Sequence, residues 1–151
     1  MDKTNLIYLV KTAAESDILW HLKECNNNFL PPLTDRIDIN AYAKKIFDKA
    51  VTFEAWENKN LIGLIAAYVN TGNPKISFIT NVSVKKEFMG MGIASVLLKK
   101  CIAHAADVHC NEIHLEVFKN NIAAINFYKK YNFTQSGTQE NSLLMKLEIK
   151  K

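Results

Sequence analysis

Apolar positions along the chain recur with two periods, one of two residues and one of between three and four, and the switches between them mark out strands and helices. Leu6 to Val10 reads as a short strand. Ile18, Leu19, Leu22 and Cys25 fall at helical spacing, which predicts a helix over Ser16 to Phe29, broken by Pro31-Pro32. Asp38 is placed to cap a second helix, Ile39 to Lys49, in which Ile39, Tyr42, Ala43, Ile46 and Phe47 recur every three to four places. Val51 to Trp56 and Leu61 to Val69 are β-rich runs joined by the turn ENKN, as in an antiparallel hairpin. After the turn Asn70 to Pro74, the run Lys75 to Val84 alternates, with Ile76, Phe78, Val82 and Val84 expected on one face and Ser77, Asn81 and Ser83 on the other.

A loop then leads into a helix to about Asp107, with Ile93, Val96, Leu97, Cys101 and Ala105 on one side. The strand Glu112 to Phe118 follows, then a helix from near Asn121 that ends at Asn132, and a closing hairpin of Phe133 to Gly137 with Leu143 to Ile149. The order β-α-α-β-β-β-α-β-α-β-β, with a strand, loop, helix and strand at its centre, predicts a mixed α/β sheet.

Composition changes this picture little. The 151 residues, 48% hydrophobic and 23% charged, suit one globular unit, and no linker, repeat or low-complexity tract divides them. The longest apolar run, Leu61 to Val69, falls far short of the roughly 18 to 20 residues of a membrane span, and the N-terminus lacks the apolar core of a signal peptide, so a cytoplasmic protein without membrane partners is expected. Cys25, Cys101 and Cys110 are odd in number and lack C-x-x-C spacing, which supports neither a disulfide framework nor a metal site. The net charge of +4 comes from scattered lysine pairs and a single arginine, Arg36, a pattern that favours an anionic small ligand over nucleic acid.

Candidate chemistry gathers in the loop EFMGMGIASVLLKK. Two of the five glycines, Gly90 and Gly92, sit there just ahead of a helix. A helix N-terminus presents unpaired N–H groups and the positive end of the macrodipole, and it binds phosphate where the backbone is bare enough. With Gly90, Gly92 and Ala94 on alternate residues, the amides from Met89 to Ser95 can converge on a pyrophosphate, and Lys85 and Lys86 add positive charge. A turn packed tightly against a strand is the other reading of the same glycines. The P-loop pattern is absent. The dinucleotide pattern G-x-G-x-x-G is missed at Ser95, although Glu112 lies about 20 residues on, and antiparallel strands come first where that fold needs a first parallel strand.

A second motif narrows the choice. Met89-Gly90-Met91-Gly92-Ile93-Ala94 resembles the Arg/Gln-x-x-Gly-x-Gly/Ala loop of the GNAT superfamily of acyl-CoA-dependent N-acyltransferases, and IHLEVFKNNIAAINFYKKYNF resembles that family's Asn-x-x-Ala-x-x-x-Tyr-x-x-x-Gly-Phe segment through Asn121, Ala124, Tyr128 and Phe133. The two motifs stand in the family's order, with room between them for one helix and one strand. Met89 replaces the usual Arg or Gln, and Asn132 replaces the glycine.

The resemblance implies a single GNAT-like domain over residues 1–151. Its central sheet would be mostly antiparallel, with one parallel, splayed pair of strands and four flanking helices. It implies acetyl transfer from acetyl-CoA to a primary amine by direct attack through a tetrahedral intermediate. Val82 would polarise the thioester carbonyl through its backbone N–H, and Val84 would pair with the pantetheine arm. Met89, Gly90, Met91, Gly92, Ile93, Ala94 and Ser95 would hold the pyrophosphate, Asn121 would bond the cofactor arm or cap its helix, Ala124 would lie along that arm, and Tyr128 would be the general acid.

The base is open, because Phe78 stands near where some family members carry a glutamate. Glu116, His114, Glu54 or a water held by Asn81 or Ser83 are the candidates, the water relay being preferred. Trp20, His21, Glu24, Asp35, Asp38 and Tyr42 are candidate acceptor contacts, with Trp20 and Tyr42 expected in the core by their helical spacing. A small-molecule amine such as an amino sugar is the expected acceptor, ahead of a protein N-terminus or lysine. A non-catalytic acyl-CoA sensor, a nucleotide-binding domain and self-association as a homodimer stay open.

Overall fold

The structure is a computed structural model in which residues 5–29 and 31–149 are described. Among the described residues seven strands, β1 (Leu6–Val10), β2 (Val51–Glu57), β3 (Asn60–Val69), β4 (Ile76–Val84), β5 (Glu112–Phe118), β6 (Thr134–Gln139) and β7 (Ser142–Glu148), form one sheet in the order β1-β2-β3-β4-β5-β7-β6. Each neighbouring pair is antiparallel except β4 with β5. The helices are α1 (Glu15–Cys25), α2 (Ile39–Lys49), α3 (Ile93–Asp107) and α4 (Ile122–Lys130). The element order is the one the periodicity predicts, although the first helix ends at Cys25 and a 3-10 turn, Asn26–Asn28, takes the chain on toward the prolines.

The sheet separates two cores. On one face Ile18, Leu22, Ile39, Ala43 and Ile46 of α1 and α2 pack on Leu61, Leu64 and Ala66. On the other Ile93, Leu97, Leu98 and Cys101 of α3, with Ile125 and Tyr128 of α4, pack on Phe53, Ile65 and Ile113. The α3 N-terminus comes down close onto β3 because Gly63 lies beneath it, where a Cβ would stand 2.9 Å from Ile93 Cγ2. Asp38 caps α2 by accepting from the Asn40 and Ala41 amides at 3.0 and 3.3 Å.

The simple alternation expected along β4 fails at Thr80. Ala66 pairs with Asn81 but Ala67 pairs with Ile79, so Thr80 is an inserted residue opposite the β3 ladder. A one-residue insertion exchanges faces for everything beyond it. Ile79, Val82 and Val84 therefore belong to the α3/α4 side, whereas Phe78, across from Tyr68, belongs with Asn81 and Ser83 on the α1/α2 side. Ser77 is separated from Asn81 in the same way.

The insertion also opens the sheet. β4 and β5 pair only from Ile76 with Glu112 to Ile79 with Leu115, and the register stops at the residue before Thr80. Beyond it the strands diverge, and β4 presents an unpaired edge.

Candidate active site

The gap between the diverging strands is a cavity of about 740 Å³, walled by Asn81, Val82, Ser83 and Val84 of β4, by Leu115 to Phe118 of β5, and by Tyr128 of α4. Lys85 N donates to the Ile62 carbonyl at 2.9 Å, so the amide of Lys85 points to β3. Successive residues of a strand point their N–H groups to opposite edges, so Ser83 and Asn81 also face β3, while the amides of Val82 and Val84 face the gap.

At one end of the gap the loop turns into α3 through Gly90 and Gly92, whose φ angles are 81° and 79°. Only glycine takes that left-handed shape without strain, and a Cβ at either position would meet nothing within 4 Å. The glycines are therefore demanded by the backbone shape, with open space on their side-chain side. Gly92 is the N-cap of α3 and supplies no side-chain cap. The first helical amides, Ile93, Ala94 and Ser95, make no hydrogen bond to a protein acceptor among the described residues, and all three residues line the cavity. Met89 lines it too and is 50% exposed, whereas Met91 packs against the core instead. Lys85 and Lys86 do not add their charge here. Lys85 Nζ is 3.1 Å from Glu24 Oε2 on α1, and Lys86 is exposed and outside the lining.

Across the gap α4 begins at Asn121, whose Oδ1 accepts from the Ala124 amide at 3.2 Å as its N-cap. The helix stops because Asn132 takes a left-handed φ of 73°, letting the Phe133 amide donate to the Tyr128 carbonyl at 3.1 Å. Tyr128 is thereby set between Phe127 and Phe133, both edge-on, at centroid distances of 5.4 and 5.7 Å. Burial, reinforced by the neighbouring Cys101, pushes its phenol pKa well above the usual tyrosine value, so the hydroxyl keeps its proton.

The base candidates separate clearly. Glu54 is fully buried, where it accepts from the amides of Thr12 and Ala13, the hydroxyls of Thr12 and Thr52 and the indole of Trp56. It ties β2 to the β1–α1 loop and lies outside the cavity. His114 is paired with Glu112 at 2.7 Å, also outside the lining. Glu116 does line the cavity, with its carboxylate accepting from the Ser142 hydroxyl of β7. Asn81 and Ser83 line it as well, and their side chains are joined by a 2.7 Å hydrogen bond.

The opposite end of the cavity is apolar. Phe29, Leu33 and Ile37 from the segment between α1 and α2 line the cavity together with Phe78 and Phe118, and Arg36 lies 5.0 Å above the Phe118 ring. Tyr42 lines this end and is only partly buried. Trp20, expected in the core, is 62% exposed on the outer side of α1 under Lys23. Glu24, Asp35 and Asp38, the acidic acceptor contacts expected from the sequence, do not line the cavity. Periodicity gave no sign of Arg36, Phe29 or Phe118 as neighbours, since a contact between distant segments leaves no local pattern.

The Acetyltransferase (GNAT) family matches residues 16–133 of the chain. N-alpha-acetyltransferase 60 of Xenopus tropicalis is 30% identical over 112 residues, covering 61% of this chain and 45% of that protein. A probable spermine N(1)-acetyltransferase of Bacillus subtilis subsp. natto (strain BEST195) is 30% identical over 78 residues, covering 51% of each. The chain thus spans about half the length of the curated relatives it matches. Among solved structures, Arabidopsis thaliana NAA60 in complex with a bisubstrate analogue superposes with a TM-score of 0.76 at 17% identity, covering 94% of this chain and 98% of that one. PaiA N-acetyltransferase from Thermoplasma acidophilum in complex with coenzyme A gives 0.75 at 15% identity, covering 94% and 99%. These two likenesses carry the fold.

Proposed function

The chain belongs to the GNAT acetyltransferase family, and on that premise we propose that its 151 residues form one acetyltransferase domain that moves an acetyl group from acetyl-CoA to a primary amine bearing an apolar body. The observation that carries the reading is a convergence on one cavity. The gap-facing amides of Val82 and Val84, the free amides of Ile93 to Ser95 and the Tyr128 side chain all border it.

The α3 amides would take the pyrophosphate, aided by the helix dipole, and need no cationic side chain to do so. The Val84 amide would pair with the pantetheine arm as an added strand, and the Val82 N–H would donate to the thioester oxygen, where negative charge grows as the amine attacks. The amine nitrogen bonds to the carbonyl carbon and the C–S bond breaks, its electron pair leaving on sulfur. Tyr128 donates its hydroxyl proton toward that sulfur. An acceptor arriving as an ammonium ion carries three protons: one stays on the amide, one replaces the proton that Tyr128 gave to the thiol, and one leaves through water held at Asn81 and Ser83. Among the described residues Glu116 is the one carboxylate on the cavity wall, and it is the second candidate for that proton.

The acceptor end favours an amine on an aromatic or aliphatic body. A polycation such as spermine would meet the Glu116 carboxylate but also the Arg36 cation, and an amino sugar would set its hydroxyls against phenylalanine rings. A peptide N-terminus with a large apolar first side chain fits the same wall and is the second reading, supported by the likeness to N-alpha-acetyltransferase 60. Thiol release from acetyl-CoA, measured with phenethylamine, a Met-Leu peptide, glucosamine and spermine, tests it. The expected result is faster turnover with the first two. Preference for glucosamine or spermine contradicts the acceptor reading, and stabilisation by acetyl-CoA without turnover on any amine contradicts the enzyme reading in favour of a sensor.

A further inference from the structure

His21 is 1% exposed on α1, and nothing in the proposed reaction uses it. Its Nδ1 is 3.2 Å from the Leu61 carbonyl oxygen and its Nε2 is 2.9 Å from Ser83 Oγ. Ser83 Oγ is in turn 2.7 Å from Asn81 Oδ1, and both of those residues line the cavity. A chain of three side chains therefore runs from a buried imidazole to the wall where the acceptor would lie.

Counting protons along the chain leaves two arrangements. A carbonyl oxygen only accepts, so Nδ1 carries a proton in both. The serine hydroxyl has one proton to give. If it goes to Asn81 Oδ1, Nε2 must donate to Ser83 and the ring is an imidazolium. If the ring is neutral, bare Nε2 takes the serine proton, and Ser83 Oγ can only accept from Asn81. The carboxamide then turns its NH2 to Ser83 and its oxygen to the cavity, the two ends being alike in shape. The arrangements differ by one proton and a half-turn of Asn81.

The surroundings choose between them. Asp17 and Glu24 on the same helix, Lys59 in the β2–β3 turn and Lys85 after β4 border His21 in a small outer pocket, where Glu24 is already paired with Lys85. Two acids are matched by two bases, so no excess negative charge holds an imidazolium. Cys25 Sγ, 3.7 Å from Nε2, is a neutral thiol whose pKa burial pushes up to about 12. Burial above all, with Lys85 adding to it against the Leu61 carbonyl, lowers the His21 pKa to about 4.

We propose that His21 is a positioning residue which, while neutral, acts through Ser83 to turn the Asn81 carboxamide oxygen into the cavity, where it accepts a hydrogen bond from the acceptor amine. This rests on the acetyl-transfer reading of the cavity. An oxygen there draws the amine in, both as the arriving ammonium and as the nucleophile whose N–H bonds turn positive during attack, whereas an NH2 would oppose it. The Tyr42 hydroxyl lies beside Asn81 and donates to the Thr80 carbonyl at 2.7 Å, so it does not compete for the turned oxygen.

Nitrogen NMR of the intact wild-type protein with labelled histidine reads the protonation of each ring directly. His21 is told apart from the other three histidines by the signal lost in His21→Gln. At pH 7 the expected spectrum has a protonated Nδ1 and a bare Nε2, and an imidazolium or a protonated Nε2 overturns the proposal. Kinetics with phenethylamine give the second readout. Ser83→Ala is expected to raise the amine KM about tenfold, the size of one lost hydrogen bond, with the acetyl-CoA KM within twofold and the amine KM restored in Ser83→Thr. An unchanged amine KM in Ser83→Ala beside a neutral His21 spectrum overturns the positioning role alone. Failure of the wild type to acetylate phenethylamine while acetyl-CoA still raises its Tm overturns the acetyl-transfer reading instead.

Discussion

The Tyr42 hydroxyl of α2 lies 2.7 Å from both the carbonyl oxygen and Oγ1 of Thr80, so a helix on one face of the sheet grips the residue that β4 inserts. The insertion is what parts β4 from β5, and burial keeps Tyr42 protonated by pushing its pKa up to about 12. Tyr42→Phe leaves the Thr80 carbonyl without this donor. The expected cost is about 1–2 kcal/mol of stability, with a several-fold rise in the acetyl-CoA KM. Denaturant unfolding and steady-state kinetics check both, and no change in either would mean that the β3–β4 ladder holds the opening unaided.

Met89 and Gly92 test whether the loop binds through its backbone. Met89→Ala is expected to leave acetyl-CoA affinity within about twofold, since only a half-exposed side chain is trimmed. Gly92→Val forces a β-branched residue to a φ of 79° and is expected to weaken binding at least tenfold. Titration calorimetry reads both. Weak binding by Met89→Ala with strong binding by Gly92→Val would reverse the account.

Glu54 is a structural carboxylate, and its substitution should be felt in stability. Glu54→Gln sets an NH2 group among five donors, so a loss of about 3 kcal/mol is expected, with the pH–rate profile of the surviving enzyme unmoved. A shifted acid limb at unchanged stability would return Glu54 to the list of bases.

His21 makes stability depend on pH. Its folded pKa, about 4, lies below the usual 6.5, so the unfolded chain binds the extra proton first as pH falls. The contribution is complete above pH 6.5, declines between 6.5 and 4, and amounts to roughly 3 kcal/mol over that window. His21→Gln should flatten the slope of unfolding free energy against pH there. An equal slope in the two proteins would contradict a neutral, buried His21.

Both motifs were legible because each is contiguous. Gly90 and Gly92 declare a left-handed turn by residue type, and Asn121 to Phe133 hold a cap, a helix and a left-handed stop within one short segment. Thr80 was not legible, because nothing in a β-branched residue says that it is inserted; the slip exists only in the pairing with Ala66 and Ala67. Trp20 shares a helical period with apolar neighbours, yet α1 turns Ile18, His21, Leu22 and Cys25 inward and leaves Trp20 outside. The contacts Lys85–Glu24, Glu116–Ser142 and His21–Ser83 join residues far apart in the chain, and no spacing rule reaches that distance.

Tyr128 carries the central claim, that acetyl transfer takes place in the gap between β4 and β5. Rates of thiol and amide formation from acetyl-CoA and phenethylamine, set beside acetyl-CoA affinity in wild type and Tyr128→Phe, test it most directly. The account predicts one amide per thiol in the wild type and a rate lower by about a hundredfold in Tyr128→Phe at unchanged affinity. Equal rates in the two proteins, or thiol release without amide, would contradict it.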